Sequence, residues 1–260
     1  MTDEDDFRQK GRVEIAKQGR SHSLKSLTNQ WMNESIETNY SYHFEWLGRP
    51  IIQYPQDIVG IQQLLWTVRP DLIIETGIAR GGSLIFYASI LELIAQCGGP
   101  ANAKVMGVDI DIREHNKEAI RAHAMSKRIE MFQGSSTDQA IVDQFKYQAK
   151  SAKKVLVCLD SSHTHNHVLE ELRLYAPLVS LDSYIIVFDT IIEDIKSNLI
   201  VDRPWAKGNN PKTAVVEYLS EIGKNHTLSE DGNRLKLKID SCLESQLLIT
   251  VAPSGFLKRV

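Results

Sequence analysis

The stretch Leu72-Ile73-Ile74-Glu75-Thr76-Gly77-Ile78-Ala79-Arg80-Gly81-Gly82-Ser83 decides the reading of this 260-residue chain. It reads as a buried strand that ends on an acid, turns through glycines and opens a helix at Ser83. Such a unit puts bare backbone N–H groups and the positive end of a helix at the carboxyl edge of a sheet, where nucleotide-like ligands bind. Spacing separates the ligands. A dinucleotide fingerprint requires G-x-G-x-x-G, and a phosphate loop requires G-x-x-x-x-G-K-[ST]. Here Gly77-x-x-x-Gly81-Gly82 follows Glu75, and the turn holds no Lys. A carboxylate at that place repels a pyrophosphate and suits a cationic amino-acid ligand. S-adenosylmethionine (SAM) has an ammonium, a sulfonium and a ribose but no phosphate, and it fits the turn.

Outward from this stretch, strands alternate with helices. Ile58, Ile61, Leu64, Leu65 and Val68 repeat at helical spacing up to Arg69-Pro70, where proline stops the helix;. Strands are expected at Leu72–Thr76, Lys104–Asp109, Ile129–Gln133, Val155–Asp160 and Ser183–Asp189, with helices at Ser83–Gln96, Glu114–Met125, from Thr137, and at His167–Leu178. Runs such as Val155-Leu156-Val157-Cys158-Leu159 are apolar on both faces, as in a parallel sheet covered on both sides;. The expected fold is α/β, a doubly wound, mostly parallel, Rossmann-like sheet. After a polar loop (Ile191 to Pro211) come a helix near Pro211–Ile222 and two strand candidates, Leu235–Ile239 and Leu247–Val251, read as an antiparallel pair. Residues 1–50 are polar with clustered aromatics and read as a helical arm, either a lid or an oligomer contact; residues 51–260 read as the ligand-binding domain.

Each successive strand end carries polar groups where ligands of open α/β sheets sit. Glu75 ends the first strand. Asp109 ends the second and is positioned to accept from ribose hydroxyls, with Ile110 beside it. Ser135 and Ser136 follow the third, near an adenine edge. Asp160 ends the fourth and Asp189 the fifth. Acids at strand ends also cap helices, the role expected of Thr137 or Asp138 and of Glu114. With Gly77, Arg80, Gly81 and Ser83 from the turn, Glu75, Asp109, Ile110, Ser135, Ser136 and Asp160 form the expected SAM site. Asp160 and Asp189 offer hard oxygen ligands of the kind Mg²⁺ accepts. A divalent ion there would hold a substrate diol and acidify one hydroxyl, while His163, three residues past Asp160, would take its proton. His165 and His167 read as structural. Two of these histidines with one carboxylate would also satisfy a non-haem iron oxygenase triad, but such triads sit on double-stranded β-barrels and leave the glycine turn without a role.

The formal charge of −3 gives no electrostatic case for nucleic acid or an anionic membrane as partner;. No apolar run approaches the roughly 20 residues of a membrane helix, and the acidic start Met1-Thr2-Asp3-Glu4-Asp5-Asp6 is not a targeting signal;. Cys97, Cys158 and Cys242 lie far apart, each read as a small buried hydrophobe in a reducing cytoplasm;.

The run Ile74 to Ser83, the segment Leu159-Asp160-Ser161-Ser162-His163-Thr164-His165, and Val187-Phe188-Asp189-Thr190 resemble the cephalosporin hydroxylase family. So do Trp46-Leu47-Gly48 and Val251-Ala252-Pro253-Ser254-Gly255-Phe256-Leu257-Lys258-Arg259. Despite that name, the resemblance implies a class I SAM-dependent O-methyltransferase, some members being rhamnosyl O-methyltransferases, with an antiparallel C-terminal strand. It implies Mg²⁺-assisted methyl transfer to a hydroxyl of a small molecule, sugar or natural product. Glu75 and Gly77 would line the methionine part of SAM, Asp109 the ribose, Ser135 and Ser136 the adenine, with Asp160 and Asp189 on the metal and His163 as base. Phe188 departs from the pattern, since it stands where such enzymes often carry a further oxygen ligand. Glu193, Asp194 or water would have to replace it. The rival from another class is a SAM-binding accessory protein of a hydroxylase without catalysis of its own.

Overall fold

The computed structural model describes residues 2–260. The chain opens with helices α1 (Asp3–Gln18) and α2 (His22–Glu37). In α1, Thr2 and Asp5 exchange side-chain and backbone hydrogen bonds in a capping box, and the helix buries none of its residues;. Gln18 ties its end to the Ser245 carbonyl at 2.7 Å. A short antiparallel hairpin follows, β1 (Phe44–Trp46) and β2 (Arg49–Ile51), turning at Leu47 and Gly48, both at positive φ;. Strands of three residues are too short for alternation to register, so the sequence pattern carries no expectation of this hairpin.

The remaining elements are α3 (Pro55–Val68), β3 (Leu72–Thr76), α4 (Gly82–Gln96), β4 (Lys104–Asp109), α5 (Glu114–Ala122), β5 (Ile129–Gln133), α6 (Gln139–Ser151), β6 (Val155–Leu159), α7 (His165–Tyr175), β7 (Tyr184–Val187), α8 (Pro211–Lys224), β8 (Leu237–Ile239), α9 (Ser241–Leu247) and β9 (Phe256–Arg259). The main sheet runs in the order β5-β4-β3-β6-β7-β9-β8. Its first five strands are parallel, while β9 runs antiparallel to both β7 and β8. Side-chain alternation divides the core in two. Ile73, Val105, Leu156, Cys158, Ile186 and Phe188 face α3 and α4; Ile74, Met106, Val157, Ile185 and Val187 face α6, α7 and α8. Both faces are dry, which is why these strands read as unbroken apolar runs.

Several expectations need correction. The C-terminal strand is Phe256–Arg259 rather than Leu247–Val251. Asp240 caps α9 through the Leu243 N–H, and Leu248 and Ser254 take positive φ, so the segment between α9 and β9 cannot run extended. The helix read over Glu114–Met125 stops at Ala122, where extended His123 accepts the Met125 N–H and a 3₁₀ turn takes over. Pro177 likewise turns the end of the expected His167–Leu178 helix into a 3₁₀ segment. Cys97 and Cys242 are exposed; only Cys158 is buried. Among the described residues, no helix is long and apolar enough to cross a membrane.

The hairpin sits directly on the first turns of α4. Trp46 meets Phe86 edge-on at 4.9 Å and donates to Ser89 Oγ at 2.9 Å. A Cβ on Gly82 would lie 2.2 Å from the Pro50 carbonyl oxygen and 2.6 Å from Ile51 Cα, both backbone atoms that cannot swing aside. Gly82→Ala is therefore expected to cost about 1–3 kcal/mol, or roughly 3–10 °C in melting temperature. Gly223→Ala, in α8 with no atom within 4 Å of its Cβ, should instead be neutral or gain up to about 1 kcal/mol. Circular-dichroism melts compare the two; equal effects would contradict the close approach at Gly82.

Candidate active site and metal centre

From β3 the chain steps outward to β4 and β5, then returns to place β6 on the other flank of β3. The carboxyl ends of β3 and β6 thus adjoin at the topological switch point, where open sheets bind ligands. The strand ends are drawn tightly together: Asp160 N donates to the Thr76 carbonyl at 2.9 Å, and Gly77 N to the Val108 carbonyl at 2.8 Å. Gly77 has φ +90°, and a Cβ there would lie 2.0 Å from the Asp160 carbonyl oxygen. Only glycine permits this approach.

Asp109 governs the glycine turn. Its Oδ2 accepts the N–H groups of Ile78 (2.8 Å) and Ala79 (3.0 Å), and its Oδ1 accepts from Asp111 N (3.0 Å). The backbone donors that would cradle a phosphate are therefore already bonded to a carboxylate. A carboxylate offers about four acceptor sites; with three filled, Asp109 retains room on Oδ1 for one hydroxyl, fewer than the pair expected from sequence. Arg49 of β2 clamps the turn from outside, donating to the Arg80 carbonyl and to Asn116, whose amide in turn reaches the Ala79 carbonyl. Glu75 lies beneath the turn, 1% exposed, and accepts from Ser83 Oγ at 2.9 Å. Burial pushes its carboxyl up to about 8, against the hydrogen bonds of Ser83 and Tyr87.

At the far side, Ser136 and Ser161 both contact His167 Nε2 at 3.1 Å, and Ser161 donates to buried Glu171 at 2.7 Å. The Glu171 hydrogen bond raises the pKa of His167. Ser135 pairs with Thr137, and Asp138 caps α6 through the Ala140 N–H.

Asp160, His163 and Asp189 converge, with one donor atom from each lying within 4.8 Å of the others. His163 Nε2 stands 3.1 Å from Asp189 Oδ2, and its ring meets Trp205 edge-on at 4.8 Å. Burial, then the charges of Asp189, Glu75, Glu171 and Asp57, push the Asp160 carboxyl well above the usual carboxylate range. Asp189 sits at φ +54° just past β7, turned out of the strand alternation that sends Phe188 into the core, 1% exposed. Neither acidic side chain expected to stand in for Phe188 arrives: Glu193 accepts from Gly208 N and Asn210, and Asp194 pairs with Lys212. The iron-oxygenase set is not assembled either. His165 turns to Thr213 and Glu217, and His167 to the serines, so one imidazole rather than two joins the carboxylates.

These residues open onto one cavity of about 670 Å³, within the range of small-molecule sites. Of the residues singled out from the sequence, Gly77, Arg80, Ser83, Asp109, Ile110, Ser135, Ser136, Asp160, His163 and Asp189 line it. Glu75 and Gly81 do not; Gly81 packs on Ile120, and Glu75 acts from behind Ser83. Sequence reasoning missed Gln53, Ser161 and the lining role of His167. The arm contributes Ile36, Asn39, Ser41 and Tyr42, and the loop before α8 contributes Leu199, Ile200, Arg203 and Trp205.

An open sheet of this order with its ligand edge at the switch point is the class I methyltransferase architecture. The family model described as Rhamnosyl O-methyltransferase/CmcI matches residues 38–260, and the chain belongs to that family. It is 30% identical over 205 residues to the rhamnosyl O-methyltransferase of Mycobacterium tuberculosis, covering 78% of this chain and 73% of that protein. The Mycobacterium leprae rhamnosyl O-methyltransferase is 26% identical over 215 residues, 82% of each chain. A solved structure of CmcI in its Mg-SAM form shares the fold with TM-score 0.54 at 18% identity, over 84% of this chain and 77% of that one.

The raised Glu75 carboxyl has a signed consequence for stability. The folded chain keeps a proton that the unfolded chain releases near 4.5, so this stabilisation is complete below about 4.5, declines as pH rises and is gone above about 8. Glu75→Gln keeps a neutral group and removes that decline. Urea melts should find the variant equal to the parent near pH 5 and more stable by on the order of 1–3 kcal/mol near pH 9. A parallel pH dependence in both would mean that Glu75 is ionised in the folded chain.

Proposed function

We propose that this chain is a SAM-dependent O-methyltransferase acting on a hydroxyl of a sugar or sugar-bearing small molecule, with a divalent cation at Asp160 and Asp189. The observation that carries the reading is the single cavity in which the glycine turn, its amides taken by Asp109, faces the Asp160–His163–Asp189 cluster. The residues suit both groups. Neither Asp160 nor Asp189 has a Lys or Arg partner among the described residues, which leaves hard oxygen donors for a cation such as Mg²⁺;. The acids around the turn suit a sulfonium-bearing amino acid and disfavour a phosphate.

When bound, SAM supplies an electrophilic methyl group, and the divalent ion supplies positive charge beside the acceptor oxygen. Gly77 and Ser83 would hold the methionine end, Asp109 and Ile110 the ribose, and Ser135 and Ser136 the adenine. His163 would take the acceptor hydroxyl proton on its imidazole, with Trp205 packed edge-on against the ring to fix its direction;. Trp205 and Arg203 at the mouth, together with the arm residues Ile36 and Tyr42, would orient the acceptor and exclude water;. The names of the mycobacterial relatives make rhamnosides the first acceptors to assay.

His163→Ala is expected to lower methyl transfer by roughly 10²–10⁴-fold and to leave SAM affinity unchanged. Labelled SAM with a panel of rhamnosides measures the first, and calorimetry the second. Unchanged turnover would remove His163 from the mechanism. SAM binding without turnover on any acceptor would favour the accessory-protein reading.

A further inference from the structure

Gln53 follows β2 at the floor of the cavity, between Ile51, 1% exposed, and Tyr54, the N-cap of α3, 2% exposed. Gln53 itself is 5% exposed. Its Nε2 faces Asp160 Oδ2 at 3.4 Å, a long contact, and its Oε1 is buried with no hydrogen-bond partner. A buried amide with an orphaned oxygen is costly.

The cluster beside it is short of oxygen. With His163 kept free for the acceptor proton, Asp160 and Asp189 bring two carboxylates, whereas Mg²⁺ and its close relatives take six ligands, mostly oxygen;. Phe188 is locked in the core by the strand alternation, and Glu193 and Asp194 are engaged elsewhere. Gln53 is the one side chain hydrogen-bonded to Asp160 among the described residues. A half turn of its amide about Cγ–Cδ puts Oε1 where Nε2 now faces the carboxylate. Neighbouring oxygens of an octahedral ion lie about 2.8–3.0 Å apart around Mg²⁺ and about 3.3–3.7 Å apart around larger Ca²⁺, so the 3.4 Å separation needs a closing of a few tenths of an ångström for the smaller ion.

We propose that Gln53 is a metal ligand, its amide oxygen completing with Asp160 and Asp189 the oxygen set that Phe188 leaves open. The inference rests on the divalent-cation part of the function proposed above. It gives the amide oxygen a partner and moves Nε2 to the buried position that Oε1 now occupies. It also makes the loop between the hairpin and α3 part of the metal centre, which ties the arm side of the cavity to the strand ends.

The test is Mn²⁺ binding to the purified chain without SAM or acceptor, read by electron paramagnetic resonance of the free ion, with SAM titrated separately. Gln53→Leu should weaken Mn²⁺ binding by about tenfold or more while SAM still binds. Gln53→Glu, which keeps the shape and adds a charged oxygen, should tighten it by a similar factor. A residue that merely donates a hydrogen bond to Asp160 predicts the reverse for Gln53→Glu, since a second carboxylate repels the first. Should the leucine variant fail to fold, the glutamate variant decides alone. Leucine-variant affinity equal to the parent, or weaker binding in the glutamate variant, overturns the assignment and leaves the methyltransferase reading intact. A parent chain that binds SAM but no Mn²⁺ overturns it together with the metal; one that binds neither overturns the proposed function as well.

Discussion

A cluster of acids without basic partners at one end of the sheet is the constraint on which the rest of the structure depends. Glu75, Asp109, Asp160 and Asp189 end four of the five parallel strands, and none has a Lys or Arg ion pair among the described residues; only His163 approaches Asp189. Asp57, Asp189, Glu75 and Glu171 each make ionisation of Asp160 harder. Acids are not gathered in a partly buried cleft for stability, since each like-charged neighbour raises the cost of folding. Positive charge from a ligand relieves that cost, and the two ligands proposed are both cationic. Stability and function therefore pull in opposite directions at this edge, as they do at many catalytic sites.

The remainder of the fold holds that edge in place. Two dry layers of helices cover the sheet, so the strand ends have little freedom to splay and relieve their repulsion. Glycine at position 77 lets β3 and β6 close to backbone contact. Asp109 then fastens the turn from the neighbouring strand, and Arg49 and Asn116 fasten it from the hairpin and α5. The hairpin thus connects the turn to the floor residue Gln53, two positions beyond β2. The result is a preorganised pocket whose charged groups are positioned by backbone rather than by flexible side chains.

Much of this is legible in the sequence, and the reasons are physical. Strands β3, β4 and β5 run over the residues expected because their apolar stretches end abruptly on polar residues or glycine. The five strand-end positions follow from the same pattern, since a buried parallel strand exposes only its carboxyl end to ligand. What is not legible depends on distant partners. Asp109 spends three acceptor sites on backbone amides, and no local signal announces that. Gln53 lies 107 positions from Asp160, in a segment with no motif. The C-terminal strand is displaced because Leu247 to Val251 is as apolar as a strand but begins at the end of a capped helix. Phe188 is the exception: the family resemblance marks it as a position where such enzymes often carry an oxygen ligand, and the strand alternation explains why its side chain faces the core.

Calorimetric titration of the purified chain with SAM, and with its demethylated product, tests the central claim most directly: the glycine turn over Glu75 and Asp109 is a site for a cationic, phosphate-free nucleoside. Roughly micromolar binding of either, lost in Asp109→Ala and not displaced by dinucleotides, is the predicted result. Absence of binding by both ligands at about millimolar concentration, with the chain folded, would contradict it.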